Sequence, residues 1–149
     1  MPRKEFVRLM EENVLILDRL ADKLKMDPAA MSGYPRQLMT VLVRLNMGGA
    51  ARLKDIARRE NVSAPNLCAS FRRLEQEGFV VRTTDEHDRR NVLYAVTPAG
   101  KELAAKVMEN FRIGIEKMFS GISSMDEEKL TGALKTINNI LERMEQKNA

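Results

Sequence analysis

Apolar residues recur every three to four positions along six stretches of the chain, with charged or polar residues between them. This spacing places the apolar side chains on one side of a helix. Glycines interrupt the pattern at Gly48-Gly49, Gly78 and Gly121, where we expect helices to end. The pattern therefore predicts six helices, over residues 4–25, 35–46, 53–60, 64–77, 99–119 and 124–146.

Residues with short polar side chains stand where several of these helices begin. Ser63 is expected to cap the fourth helix, and Pro65 is tolerated in its first turn. Ser124 or Asp126 is expected to cap the sixth helix. A loop is predicted over residues 27–35, where prolines and a glycine separate the first two helices.

Two short segments after the fourth helix, residues 79–83 and 91–96, are rich in β-branched and aromatic residues. Such composition is typical of strands. The residues TDEHDRRN at their junction are too polar for a core, so we expect a hairpin with a polar tip. Ala51-Arg52 can add a brief third strand. Thr97-Pro98 then predicts a helix start, because proline is favoured at the first helical position.

The first and last helices carry apolar stripes that are wide for the ends of a chain. The first helix either closes the core or packs against another copy of itself. The apolar positions are Phe6, Val7, Leu9, Met10, Val14, Leu17, Leu20, Ala21 and Leu24 in the first helix, and Leu130, Leu134, Ile137, Leu141 and Met144 in the last.

Length and composition are typical of one globular domain: 149 residues, 44% hydrophobic and 31% charged, with a formal net charge of +4. A mild basic excess fits a phosphate-binding face without requiring one. The single cysteine excludes an internal disulfide framework and fits a reducing compartment. No apolar run is long enough to span a membrane, and the first residues lack the apolar segment of a signal peptide. We therefore expect a cytoplasmic protein with no membrane partner.

Catalytic and metal-binding patterns are missing from the sequence. His87 is the only histidine, and a lone histidine cannot make a metal site by itself. Cys68 and His87 lack an identifiable third member for nucleophilic catalysis, and there is no glycine-rich phosphate loop. We therefore expect no enzyme activity, no cofactor and no metal site.

The segment DRRNVLYAVTPAGKEL resembles the wing and following helix of the MarR family of winged-helix transcription factors, and LKDIARRENVSAPNLCASFRRLEQEGFVVR resembles the family's helix-turn-helix. The order of helices agrees over almost the whole chain. The resemblance implies a mainly α fold with a small β-hairpin wing. It also implies one domain over residues 1–149, in which residues 35–98 form the winged-helix segment. Residues 1–34 and 99–149 would supply dimerisation helices.

The same resemblance implies a homodimer that binds double-stranded DNA at a pseudo-palindromic operator. The helix over residues 63–77 would enter the major groove, and the tip of the hairpin would reach the neighbouring minor groove. Asp88 is acidic at this tip, so we expect it to pair with Arg90 or Arg73 and fix the wing. The residues expected to contact DNA are Ser63, Pro65, Asn66, Ser70, Arg72, Arg73, Arg89 and Arg90.

Family members bind small phenolic or other amphipathic ligands, which implies a repressor released by such a ligand. Two alternatives stay open. Ala69 stands where many members have an arginine, so the chain could be a winged-helix protein-interaction module that has lost DNA binding. Cys68 lies in the same helix, where oxidation would add bulk or polarity, so a thiol-switched regulator is the second alternative.

Overall fold

The computed structural model describes residues 2–24 and 33–148, and the predicted loop over residues 27–35 lies mostly outside them. The chain divides into two compact units, residues 1–114 and 115–149. Among the described residues, no helix is both long and apolar enough to cross a membrane.

The six predicted helices and three predicted strands are all present, with ends shifted by at most a few residues. The helices are α1 (Pro2–Lys23), α2 (Arg36–Gly48), α3 (Leu53–Glu60), α4 (Ala64–Gln76), α5 (Pro98–Met118) and α6 (Ser124–Asn148). The strands are β1 (Ala51–Arg52), β2 (Val80–Thr84) and β3 (Val92–Val96).

The three strands form one antiparallel sheet in the order β1-β3-β2. Tyr94 lies at its centre, paired with Ala51 on one side and with Arg82 on the other. The brief third strand is therefore confirmed, and it pairs with Leu93 and Tyr94 of β3. A mainly helical fold with a small β-hairpin wing is likewise confirmed.

The hydrophobic core lies where α2, α3, α4 and the sheet meet, and the start of α5 completes it. Phe71 of α4 is fully buried, and its ring meets the edge of Tyr94 with 5.0 Å between ring centroids. Aromatic pairs favour such edge-to-face contacts. The largest fully buried side chains are those of Phe71, Met39, Leu42, Leu45, Ile56, Leu74 and Val80.

Thr97 joins the end of the hairpin to the start of α5. Its hydroxyl accepts a hydrogen bond from the backbone N–H of Gly100 (3.1 Å) and donates one to the carbonyl of Gly78 (2.5 Å). A Cβ atom at position 100 would lie 2.0 Å from the carbonyl oxygen of Phe79, so only glycine fits there. The predicted helix start at Thr97-Pro98 is confirmed, and this joint fixes α5 against the end of α4.

Two of the expected caps differ from prediction. Ser63 occupies the N-cap position of α4, but its side chain makes no capping hydrogen bond. Neither Ser124 nor Asp126 caps α6. Instead, the hydroxyl of Ser123 accepts a hydrogen bond from the backbone N–H of Asp126 at 3.1 Å. Serine and threonine hydroxyls commonly reach the third N–H of a helix, and Ser123 stands at the right distance for it.

Most apolar side chains on α1 and α6 are exposed in the part of the chain that the structure describes. No residue of α1 is buried, and Phe6 and Leu17 are 54% and 56% exposed. On α6, Leu134 and Met144 are 48% and 53% exposed. Closure of the core by the first helix is therefore wrong, because that core is complete without it.

Candidate nucleic-acid interface

Helices α3 and α4 form a helix-turn-helix through residues 61–63. Asn61 adopts the left-handed conformation (φ 52°), which asparagine tolerates better than most residues. The N–H of Val62 donates a 3.0 Å hydrogen bond to the carbonyl of Ala57, so the turn stays tight. Ile56 and Phe71 are buried between the two helices and the sheet, which orients the opposite side of α4 toward solvent.

The solvent side of α4 carries most of the residues expected to contact DNA. Pro65, Ala69 and Arg72 follow one another at helical spacing and are exposed. Asn66 is exposed beside them, and Ser70 is half-buried. Ser63 is exposed ahead of the helix, and its hydroxyl makes no hydrogen bond with any described residue.

Two neighbouring arginines on α4 have different surroundings. Arg72 makes no ion pair or hydrogen bond with its side chain in the part of the chain that the structure describes. Arg73 donates a 3.1 Å hydrogen bond from Nε to Oε1 of Glu77. Its guanidinium also lies 4.1 Å from the ring centroid of Tyr34. Of these two arginines, only Arg72 therefore lacks a side-chain partner among the described residues.

Tyr34 connects the residues ahead of α2 with the end of α4. It is only 3% exposed, and its hydroxyl donates a hydrogen bond to Oε2 of Glu77. Burial, together with the Glu77 carboxylate, raises the pKa of Tyr34 well above its ordinary value. The hydrogen bond from Tyr34, together with Arg73, holds the pKa of Glu77 below its ordinary value. The ionised carboxylate is the form that fits this cluster.

The wing is attached to α4 by an ion pair that is not predicted from the sequence. Nε of Arg82 on β2 donates a 2.9 Å hydrogen bond to Oε1 of Glu75 on α4. Arg82 faces the same side of the sheet as Tyr94, since directly paired residues of an antiparallel ladder share a face. Alternation along β2 could have indicated that Arg82 faces α4, but only the fold places Glu75 opposite it.

The tip of the wing is shaped by two aspartates. Oδ1 of Asp88 accepts a 3.0 Å hydrogen bond from the backbone N–H of Arg90, and Oδ1 of Asp85 accepts one of 3.0 Å from the N–H of His87. Asp88 thus contacts the backbone of Arg90, and pairs with neither its guanidinium nor that of Arg73. The side chains of Arg89 and Arg90 are exposed and make no hydrogen bond or ion pair with any described residue.

Cys68 is half-buried on α4, and His87 is exposed in the wing. Across residues 2–24 and 33–148, no group of three or more histidine, cysteine and carboxylate side chains is placed to hold a metal ion.

A cavity of about 340 Å³ lies between α2 and α5, within the unit that contains residues 1–114. Its walls are mostly apolar, and Arg36 and Arg44 add two cations. Arg44 also pairs with Glu60, whose side chain is 4% exposed. Oε1 of Glu60 lies 3.8 Å from Nε of Arg59 and has no hydrogen-bond partner among the described residues. The full lining is Arg36, Thr40, Val43, Arg44, Met47, Val107, Met108 and Phe111.

Known proteins with similar sequences are regulators with a helix-turn-helix. The HTH-type transcriptional regulator YkoM of Bacillus subtilis is 30% identical over 103 residues, which cover 69% of this chain and 67% of YkoM. YfiV of the same organism is 29% identical over 104 residues, which cover 70% of this chain and 65% of YfiV. This chain therefore aligns with slightly less than two thirds of YfiV.

Solved structures share the fold at lower identity. The transcriptional regulator Tm0710 of Thermotoga maritima matches with a TM-score of 0.70 at 24% identity, covering 94% of this chain and 96% of Tm0710. FabT of Streptococcus pneumoniae, solved in complex with DNA, matches with a TM-score of 0.60 at 18% identity, covering 95% of this chain and 96% of FabT.

The family model that describes MarR matches residues 35–92. This range contains α2, the helix-turn-helix, the whole of β2 and the wing tip. Taken with the likeness to YkoM, it shows that the chain belongs to the MarR family of winged-helix transcriptional regulators.

Proposed function

We propose that this chain binds double-stranded DNA as a homodimer and represses transcription at a pseudo-palindromic operator. The observation that carries the proposal is a set of exposed arginines with no ion-pair partner among the described residues: Arg72 on α4 and Arg89-Arg90 at the wing tip. Cations without internal partners can bind phosphate or base edges at no cost to the fold. FabT, which shares the fold, has been solved in complex with DNA.

Most of the residues expected to contact DNA have chemistry that suits a particular contact. The free hydroxyl of Ser63, at the start of the helix, is suited to a phosphate oxygen, and Pro65 keeps the backbone close to the groove. Asn66 and Ser70 are one turn apart and short enough to reach base edges. Arg72 can reach a phosphate or a guanine edge, while Arg89 and Arg90 enter the narrower minor groove.

The uncovered apolar stripes of α1 and α6 support the homodimer. A second copy would bury side chains that are now about half exposed, and this burial is the usual driving force of a stable interface. In a symmetric dimer the two α4 helices are expected roughly one duplex turn apart, about 34–36 Å. This spacing is the reason for proposing a pseudo-palindromic operator.

Retention of sheared genomic DNA by the purified protein, followed by sequencing of the retained fragments, would test DNA binding and identify the operator. Affinity for that operator is expected to fall steeply with salt, because each copy offers several phosphate contacts. Arg90→Ala should weaken binding strongly while the dimer stays folded, and Arg143→Ala on α6 is the matched control. Retention of no specific fragment would favour the protein-interaction alternative.

The cavity between α2 and α5 supports a small amphipathic ligand, such as a phenolic carboxylate, as the signal that releases the operator. Its apolar walls suit a ring, and Arg36, which has no carboxylate bonded to it among the described residues, suits an anionic group. A thermal-shift screen of benzoate, salicylate and medium-chain fatty acids would test this. We expect the carboxylates that raise the melting temperature also to weaken operator binding. Ligand-independent DNA binding, with no stabilising compound, would contradict it.

A further inference from the structure

We propose that Arg73 does not contact DNA, and that with Tyr34 and Glu77 it positions the end of α4 so that the neighbouring Arg72 reaches phosphate. We call these three residues the Tyr34 cluster. The proposal rests on the proposed function, since it concerns how the same interface reads DNA. It assigns different roles to two adjacent arginines that the sequence does not distinguish.

Every member of the Tyr34 cluster contacts both of the others. The Tyr34 hydroxyl donates to one carboxylate oxygen of Glu77, and Nε of Arg73 donates to the other at 3.1 Å. The Arg73 guanidinium closes the ring of contacts by lying 4.1 Å from the Tyr34 ring centroid. Cation–π contacts of this kind are strongest when the ring is withdrawn from water, as Tyr34 is. Moving Arg73 to a phosphate would break two contacts at once.

Charge also separates the two arginines. The Glu77 carboxylate neutralises Arg73 and would be carried toward any phosphate that Arg73 approached. A neutral pair displaces few counterions from DNA, whereas a free cation displaces about one. Arg72 has no carboxylate bonded to it within the described residues, and it is exposed. Its full positive charge is available to the duplex.

The Tyr34 cluster is one of two attachments at the end of α4. On one side it ties Arg73 and Glu77 to the residue just ahead of the α2 N-cap. On the other side, Glu75 is held by Arg82 of the wing. The last turn of α4 is therefore held on one side by Tyr34, ahead of α2, and on the other by Arg82 of the wing. Loss of either attachment should alter the angle at which the helix enters the groove without removing a phosphate contact.

The slope of log affinity against log salt distinguishes positioning from phosphate contact. Arg72→Ala should reduce this slope by about 1 for each copy that binds, and Arg72→Lys should restore it, because lysine also binds phosphate. Arg73→Ala should weaken operator binding at every salt concentration with the slope unchanged. Arg73→Lys should not rescue affinity, because lysine lacks the planar group that stacks on Tyr34 while bonding Glu77.

Tyr34→Phe tests the cluster without touching any cation. It keeps the buried ring and removes only the hydroxyl, so the protein is expected to fold. We expect roughly tenfold weaker operator binding, on the scale of one lost hydrogen bond to a charged group, again with the slope of the wild type. If Arg73→Ala fails to fold, Tyr34→Phe and Glu77→Gln decide the matter by the same two measurements.

The outcomes separate the two proposals. A wild-type protein that retains no specific DNA would overturn the proposed function. Wild-type binding combined with a reduced salt slope for Arg73→Ala, rescued by Arg73→Lys, would overturn the positioning role alone. Operator affinity of Tyr34→Phe equal to that of the wild type would also overturn it, since the cluster would then not act on α4.

Discussion

The winged-helix segment and the helices at the two ends of the chain use similar apolar residues with opposite outcomes. Phe71, in the winged-helix segment, is fully buried against Tyr94, whereas Phe6, on α1, is 54% exposed. Both lie on helices with regular apolar periodicity. The difference teaches that periodicity identifies which side of a helix avoids water but not what covers it. The apolar side of α4 packs against other parts of the same chain, and we propose that the apolar sides of α1 and α6 pack against a second copy.

The largest expected effect comes from removing the buried ring. Phe71→Ala should lower the free energy of unfolding by about 3–5 kcal/mol, because it leaves a cavity in the core. Phe6→Ala removes the same atoms from α1 and is the matched comparison. Its effect should grow with protein concentration, because it acts on association. Urea unfolding at two protein concentrations measures the free energy of unfolding of both variants. Equal decreases that do not depend on concentration would contradict the proposed difference between the two regions.

A charge on the exposed stripe of α6 should break the dimer and leave the core intact. Leu134→Glu should raise the dimer dissociation constant by about 100-fold or more, because a symmetric interface buries the changed position twice. Asn139→Glu adds the same charge on the opposite side of α6 and is the control. Sedimentation at several concentrations reports the association, and circular dichroism reports the fold. A Leu134→Glu protein that stays dimeric would exclude this stripe from the interface.

The smallest expected effect is a pH dependence confined to the winged-helix segment. The folded-state pKa of Glu77 is lowered, chiefly by the hydrogen bond from Tyr34, so its ionised form stabilises the fold. This contribution is full above the unfolded glutamate pKa of about 4.3 and is lost as pH falls through the lowered folded value. Tyr34 acts at alkaline pH, because its pKa is raised in the folded state. Its contribution to stability is full below the unfolded tyrosine pKa of about 10 and is lost as pH rises through its folded-state pKa.

Urea midpoints of the wild type and Glu77→Gln between pH 3 and pH 8 would measure how the contribution of Glu77 to stability is lost in acid. The two proteins should differ most at neutral pH and converge in acid. The dimer dissociation constant should show no matching difference, since the Tyr34 cluster lies outside the exposed stripes. A constant gap across the whole range would mean that ionisation of Glu77 contributes nothing.

Local patterns were sufficient to predict the elements. The six helices and the hairpin are confirmed, because each depends mainly on neighbours within a few residues. The short strand at Ala51-Arg52 is confirmed as well, although it pairs with Tyr94 and Leu93 far along the chain. The joint at Thr97 and Gly100 is confirmed for the same reason, since the hydroxyl and the N–H that it caps are three residues apart. Membership of the MarR family confirms that the chain is a regulator and not an enzyme.

Contacts between distant residues could not be predicted in the same way. Tyr34 and Glu77 are 43 residues apart, and Arg44 and Glu60 are 16 apart. Their pairing depends on how α2 packs beside α3 and the end of α4, which no local pattern encodes. The cap of α6 was misassigned because residues 123–126 contain several good capping residues, and only the backbone geometry selects Ser123.

The candidate interface was predictable as a surface but not residue by residue. The exposed positions of α4 follow from its apolar face, and the polar tip of the wing follows from its composition. Arg72 and Arg73 are chemically identical neighbours, so the sequence assigns both to DNA. Arg73 has partners and Arg72 has none among the described residues, and one of those partners, Tyr34, comes from another part of the chain.

The position of the two tyrosines gives the molecule an internal optical label. Tyr34 and Tyr94 are its only tyrosines, and tryptophan is absent. Both are buried, and both touch residues of α4. The tyrosine band of near-ultraviolet circular dichroism therefore reports side-chain packing around α4, while the far-ultraviolet signal counts every helix. The unmodified protein can thus reveal whether the packing around the DNA-facing helix melts before, with or after α1 and α6.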